Sequence, residues 1–259
     1  MDLGIEGETA LILGGTQGLA LACAESLREA GVRIVINGRN AETGAAAVEK
    51  LGDAARFIQG DISDPDERAR IFDDATAVWG PISILVNNAG GPPPGGFGDH
   101  DRATWLAAIE TNMLAAIDMT ERCLPSMTTR GFGRIVNITS FAVREPYPNL
   151  LLANSVRAGL HGAMSTLARE VAQFGVTVNN LLPGLMDTPA LQRVYRAQSL
   201  NENISEDDAR ARMADSIPTK RLGTAEDFGP MCAFLCSRHA GYMTAQNITI
   251  DGGLVRALL

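Results

Sequence analysis

No apolar run reaches the roughly 18 residues that a membrane-spanning helix requires. The opening Met1–Glu6 has neither the basic flank nor the apolar core of a secretory signal. Four cysteines and three histidines are all that the chain offers a soft metal. They form no Cys-x-x-Cys pair and no zinc spacing, so no metal is expected. Cys232 and Cys236, four apart in an apolar stretch, read as helix packing. No Lys/Arg cluster interrupts a chain of net charge −8, which excludes phosphate neutralisation on nucleic acid or on an anionic membrane. Repeats, low-complexity tracts and interdomain linkers are missing as well. These absences leave the expectation of a cytoplasmic protein with reduced thiols that acts on a small molecule.

What is present is 259 residues, 46% of them hydrophobic, enough for one large domain spanning 1–259. Short β-branched runs alternate with amphipathic stretches, as βαβ units require. The expected strands are Thr9–Leu13, Arg33–Asn37, Arg56–Gln59, Ile82–Asn87, Arg134–Thr139, Thr177–Leu181 and Asn247–Ile250, with helices between them. Continuous apolar strands such as Ile84-Leu85-Val86 belong to a parallel sheet covered on both faces. The fold class is therefore α/β: a seven-stranded, doubly wound sheet of Rossmann type, with ligands at the strand carboxyl ends. One long irregular region, about 188–218, has helical apolar spacing and an acidic stretch at 201–208, and is expected to form a lid.

Directly after the first strand, Gly14-Gly15-Thr16-Gln17-Gly18-Leu19-Ala20 opens a helix. Glycines there let backbone N–H groups approach a pyrophosphate at the helix N-terminus. Gly14, Thr16, Gln17, Gly18 and Leu19 are the expected contacts, and Ala20 stands where a third glycine is usual. The second strand ends in Gly38-Arg39-Asn40, with no carboxylate for a ribose 2′-hydroxyl but with an arginine able to pair with a 2′-phosphate. That favours NADP(H), with NAD(H) still open. Asp61 and Ile62, after the third strand, are placed to border an adenine ring.

These features, with Asn87-Asn88-Ala89-Gly90, Asn112, Ser140, Pro183-Gly184-Leu185-Met186-Asp187-Thr188 and Asp251-Gly252-Gly253, occur in the order and spacing of one family. The chain resembles the short-chain dehydrogenases/reductases, and among them the β-ketoacyl carrier-protein reductases, over essentially its whole length. The resemblance implies that Asn88, Ala89 and Gly90 line the adenosine side, and that Pro183, Gly184, Met186 and Thr188 border the nicotinamide. It further implies that Asn112 holds a helix kink and a water, that Ser140 hydrogen-bonds the substrate carbonyl, and that four chains assemble through the active-site helices and the C-terminal strand, with the apolar tail Leu254-Val255 to Leu258-Leu259 buried. Gly90-Gly91-Pro92-Pro93-Pro94-Gly95, Pro148-Asn149-Leu150 and Asn154 to Arg157-Ala158 resemble a subgroup whose active-site motif is imperfect.

The imperfection is specific. Ala153-Asn154-Ser155-Val156-Arg157 stands where the family reads Tyr-x-x-x-Lys. The family chemistry uses a phenol, its pKa lowered by the ammonium, to exchange a proton with the substrate oxygen. Ala153 removes that acid. Arg157, on the same helical face, keeps a cation and a fork of donors for ribose hydroxyls, but its guanidinium does not trade protons. Three groups could replace the phenol: Tyr147 swinging in from a stiff, proline-flanked loop; His161, two helical steps of four beyond Ala153 and so expected to face a subunit contact; and a water in the cavity left by Ala153, linked to Ser140 and Asn112. Leu150–Leu152, Phe141, Leu191, Val194 and Tyr195 suggest a partly apolar pocket. Two functions compete. One is an NAD(P)-dependent oxidoreductase acting on a hydroxyl/ketone pair through Ser140, Asn112 and Arg157. The other is a catalytically silent subunit, in a homotetramer or beside a competent paralogue.

Overall fold

Alternate side chains of the first strand go to opposite layers: Ala10 and Ile12 pack with one apolar cluster, Leu11 and Leu13 with the other. That two-sided burial repeats across a sheet of seven strands: β1 (Thr9–Ile12), β2 (Arg33–Gly38), β3 (Ala55–Gln59), β4 (Ile84–Asn87), β5 (Gly133–Ile138), β6 (Val176–Pro183) and β7 (Asn247–Ile250). Their order is β3-β2-β1-β4-β5-β6-β7, every neighbouring pair parallel. This computed structural model describes residues 1–258. All seven expected strands are present and their ends move by a residue or two; β6 runs on to Pro183, which brings the Pro183-Gly184 turn to the sheet edge.

Helices α1 (Gly18–Glu29), α2 (Ala41–Leu51) and α9 (Ala225–Cys236) cover one face. There Cys23, Cys232 and Cys236 are buried in the core, as their spacing suggested. Helices α3 (Pro65–Trp79), α5 (Ala115–Arg130) and α6 (Leu151–Val171) cover the other face through Ile71, Ala75, Met119, Cys123, Leu160 and Met164. Helix α4 (Arg102–Ile109) leads into α5 through a π-helical turn, Glu110–Leu114, which carries the buried Asn112. The strand order reverses between β1 and β4, and that switch point opens a crevice at the carboxyl ends of the strands.

A row of asparagines crosses one half of the sheet. Asn87, Asn137, Asn180 and Asn247 are register partners on β4 to β7. Asn87 Nδ2 donates to Asn137 Oδ1 (2.9 Å), Asn137 Nδ2 to Asn180 Oδ1 (2.8 Å), and Asn180 Nδ2 to Asn247 Oδ1 (2.7 Å). Mutual pairing satisfies buried amides that would otherwise be costly.

The region 188–218 is two helices, α7 (Pro189–Glu202) and α8 (Glu206–Ser216), parted at Asn203, whose φ of 52° ends the first. Its acidic residues have a local reason: Glu206, Asp207 and Asp208 fill the first turn of α8, where the helix dipole favours negative charge. In the single chain Leu258 is fully exposed, with Leu254 and Val255 half-buried; Leu259 lies outside the described residues. No helix among the described residues is long and apolar enough to cross a membrane.

Candidate functional site

A cleft of about 1150 Å³ lies over the switch point. Gly14, Thr16, Gln17, Gly18 and Leu19 line it from the first turn, Arg39 from the end of β2, and Asp61 and Ile62 from beyond β3. Asn88, Ala89 and Gly90 line it from beyond β4, Asn112 from the π-turn, Ser140 from beyond β5, and Arg157 from α6. Pro183, Gly184, Met186 and Thr188 complete the wall. The structure thus brings together every site residue expected from sequence except Tyr147.

The first turn is shaped by backbone. Gly14 has φ +58°, and a Cβ on it would stand 2.6 Å from Asn88 Nδ2; Gly18 has φ +61°. Both conformations are open to glycine and disfavoured for other residues. Helix α1, which follows, has no side-chain cap and no acid in its first turn. Helix α6 also starts without a side-chain cap, whereas α2, α3, α4, α7 and α8 are capped by Asn40, Asp64, Asp101, Thr188 and Ser205, and α9 by a Thr224–Asp227 capping box. A helix start with free N–H groups, facing a cleft across a side-chain-free turn, fits a dinucleotide pyrophosphate.

At the far end, the Arg39 guanidinium is 79% exposed, with Nη1 3.7 Å from Asp61 Oδ2. Burial raises the Asp61 carboxyl, but the Ser63 N–H (2.9 Å) and hydroxyl (2.8 Å), with Arg39, outweigh it and hold the pKa below the usual range. Asn40 caps α2 by accepting from the Thr43 N–H (3.0 Å), and Arg39 is the cation in the cleft lining at the end of β2.

The other end is built from side chains. Ser140 Oγ accepts from the Ala142 N–H at 3.2 Å and caps a short 3₁₀ turn, Phe141–Val143. That use of its oxygen leaves the hydroxyl proton free to donate. Arg157 projects into the cleft, its Nη2 3.9 Å from the position that a Cβ on Gly91 would take. Among the described residues it has no ion-pair or hydrogen-bond partner, and burial alone pushes its pKa down to about 10. A small adjoining pocket of about 20 Å³, lined by Asn87, Asn112 and Arg157 among others, is wide enough for one water. Asn87 Oδ1, buried and without a partner, belongs to the same residue that heads the asparagine row.

Three expectations change. Ala153 is 5% exposed and lines neither pocket; the small space beside Arg157 is bordered by Asn87 and Asn112 and not by the Ala153 methyl. Tyr147 is half-exposed and packs edge-on against Phe141, ring centroids 5.4 Å apart, outside the cleft. His161 does not face outward: it is buried, its Nε2 2.8 Å from Thr139 Oγ1. Burial, then Arg157 and Arg144, push its pKa down to about 4 and keep it neutral near pH 7. Of the apolar residues expected around the substrate, Leu191 and Val194 line the cleft, while Leu152 is core with Ala108 and Val156. Sequence reasoning missed Thr139 and Arg193, both on the cleft wall. Only the docking of α7 over the cleft marks Arg193; nothing in its local sequence does.

Comparison with known proteins agrees with this fold. A family model described as enoyl-(acyl carrier protein) reductase matches residues 14–255. The NADPH-dependent reductase BacG of Bacillus subtilis is 31% identical over 255 residues, covering 96% of this chain and 98% of that one. The acetoacetyl-CoA reductase of Cupriavidus necator is 31% identical, covering 95% and 97%. The crystal structure of L-sorbose reductase from Gluconobacter frateurii, complexed with NADPH and L-sorbose, superposes with a TM-score of 0.95 at 28% identity, covering both chains fully.

Proposed function

The chain belongs to the short-chain dehydrogenase/reductase superfamily, in its ketoreductase-like branch, and from that premise we propose that it is an NADP(H)-favouring oxidoreductase that interconverts a hydroxyl and a ketone with no side-chain acid at the reacting oxygen. When bound, the dinucleotide supplies or accepts the hydride; the residues do the rest. The uncapped start of α1 and the Gly14–Leu19 turn take the pyrophosphate, Arg39 takes the 2′-phosphate, and Asp61 and Ile62 border the adenine. Asn88, Ala89 and Gly90 flank the adenosine ribose. Pro183, Gly184, Met186 and Thr188 border the nicotinamide.

The observation that carries the reading is the unpaired Arg157 in the same cleft as Ser140. The Ser140 hydroxyl orients the carbonyl, and Arg157 stabilises negative charge on its oxygen and holds ribose hydroxyls. The proton comes from water; a molecule in the pocket between Asn87, Asn112 and Arg157 would be polarised by the guanidinium. Helices α7 and α8 form the lid that shields this end.

The test is the double variant Ala153→Tyr with Arg157→Lys, which restores the phenol–ammonium pair on one face of α6. Turnover of parent and variant is compared over a panel of ketones and acyl thioesters, with nucleotide binding as the folding control. The variant should gain about 10²- to 10⁴-fold on simple ketones, the usual worth of a positioned acid, and lose turnover on the parent's best substrate. A parent silent throughout, beside an active variant, replaces this reading with that of a noncatalytic subunit, for which the paired loss of the phenol and the ammonium is the specific observation.

A further inference from the structure

The charges lining the cleft are unevenly distributed. Its described lining holds three arginines, Arg39, Arg157 and Arg193, and one carboxylate, Asp61. Asp61 is paired with Arg39 at the adenosine end. That leaves two guanidiniums and no acid elsewhere in the lining, within a protein of net charge −8.

Both cations are without partners among the described residues; Arg157 is part-buried and Arg193 is exposed at the cleft wall. The neighbours of Arg193 on the lid are all matched: Arg196 with Glu206 (3.1 Å), Arg210 with Asp187 (2.8 Å), Arg212 with Glu202 (2.8 Å). Arg193, on the side of α7 that lines the cleft, has no such match. Arg157 is part-buried, and among the described residues no carboxylate stands against it; a cation partly withdrawn from water gains from an anionic partner. A ligand in the cleft can supply that partner. The pyrophosphate has its own seat at the start of α1, and a 2′-phosphate has Arg39.

Resting on the reading above, we propose that the substrate carries a carboxylate, bound between Arg157 and Arg193, with an apolar body against Pro92, Pro93, Leu191 and Val194. The guanidinium fork matches a carboxylate in two-point geometry. A positive spot in an acidic protein draws anions selectively to it. Recognition of the anion positions the substrate carbonyl beside Ser140.

Calorimetric titration tests this with benzoylformate, cinnamate and octanoate, each against its primary amide, on the NADP⁺-loaded protein and on the nucleotide-free protein. At least one acid should bind about tenfold more tightly than its amide, a preference that falls as salt is raised. Arg193→Gln should abolish that preference while leaving NADP⁺ affinity within about twofold, and Arg157→Lys should weaken the acid while retaining part of its salt dependence. No acid preferred over its amide in either form overturns the proposal. So does an Arg193→Gln variant that loses NADP⁺ and keeps the acid, because the arginine then serves a cofactor phosphate. Failure of NADP⁺ to bind while the nucleotide-free protein still selects the acid would overturn the oxidoreductase reading and leave the anion site standing.

Discussion

The two ends of the cleft are made of different materials. At the adenosine end the essential parts are backbone: a turn with two positive-φ glycines and a helix start left without a cap. At the reacting end the essential parts are side chains on rigid supports: Ser140 after β5, Asn112 in a π-turn, Arg157 on α6. A cradle of backbone amides is specified by conformation, so many sequences build it and few substitutions alter what it binds. A constellation of side chains can be altered by one or two substitutions, such as Ala153 and Arg157 on α6, without disturbing the scaffold beneath it.

That comparison breaks most visibly at Gly14. In Gly14→Val a β-branched side chain would be forced to φ +58° with its Cβ 2.6 Å from the Asn88 amide. Dinucleotide affinity should fall by about a thousandfold, roughly 4 kcal/mol, in calorimetry, with the circular dichroism spectrum unchanged. Retained affinity would mean that the cradle is not held by its backbone.

The next effect lies beneath the reacting end. Because His161 has its pKa lowered from 6.5 to about 4 in the folded protein, the unfolded chain binds its proton first as pH falls. Its contribution is intact above about pH 6.5 and is lost as pH drops from there to about 4, a decline of roughly 3 kcal/mol. Urea denaturation at pH 7 and pH 4.5 should show that decline in the parent and its absence in His161→Leu. Equal pH sensitivity of the two would remove His161 from the electrostatics of this end.

Smaller is Arg39→Ala, which should weaken NADP(H) by about ten- to hundredfold and leave NAD(H) unchanged, the worth of charged hydrogen bonds to one phosphate. An NADP(H) preference that survives the change places the 2′-phosphate elsewhere. Smallest is Tyr147→Phe. With its ring against Phe141 and outside the cleft, removal of the hydroxyl should alter steady-state turnover by less than about twofold; a collapse would restore it as the proton donor.

The adenosine end was the more legible from sequence, for the same reason that it is the more robust. Gly14, Gly18 and Arg39 sit at fixed offsets from strand ends, and strand ends follow from apolar periodicity. The seven strands were readable because burial on both faces demands continuous apolar runs. What escaped depends on the packing of one element against another. Helical angles alone point His161 toward a subunit contact, yet α6 packs close enough to the end of β5 for its ring to meet Thr139 Oγ1. Arg193 becomes part of the cleft only once α7 docks. The asparagines of β4 to β7 interrupt the apolar pattern and say nothing of one another until register aligns them.

That row of amides acts as a vernier. Each carboxamide gives its proton toward β7, so the line has one direction, beginning at Asn87 and stopping at Asn247. A slip of one residue would turn an asparagine into the opposite layer, and a slip of two would carry it past its partner. The stagger of four strands is thereby set one to four residues below Asn88, Ser140, Gly184 and Asp251, which follow the strand ends. The reacting end inherits its dimensions from that buried line and not from any group that does chemistry, so it keeps its shape without the phenol.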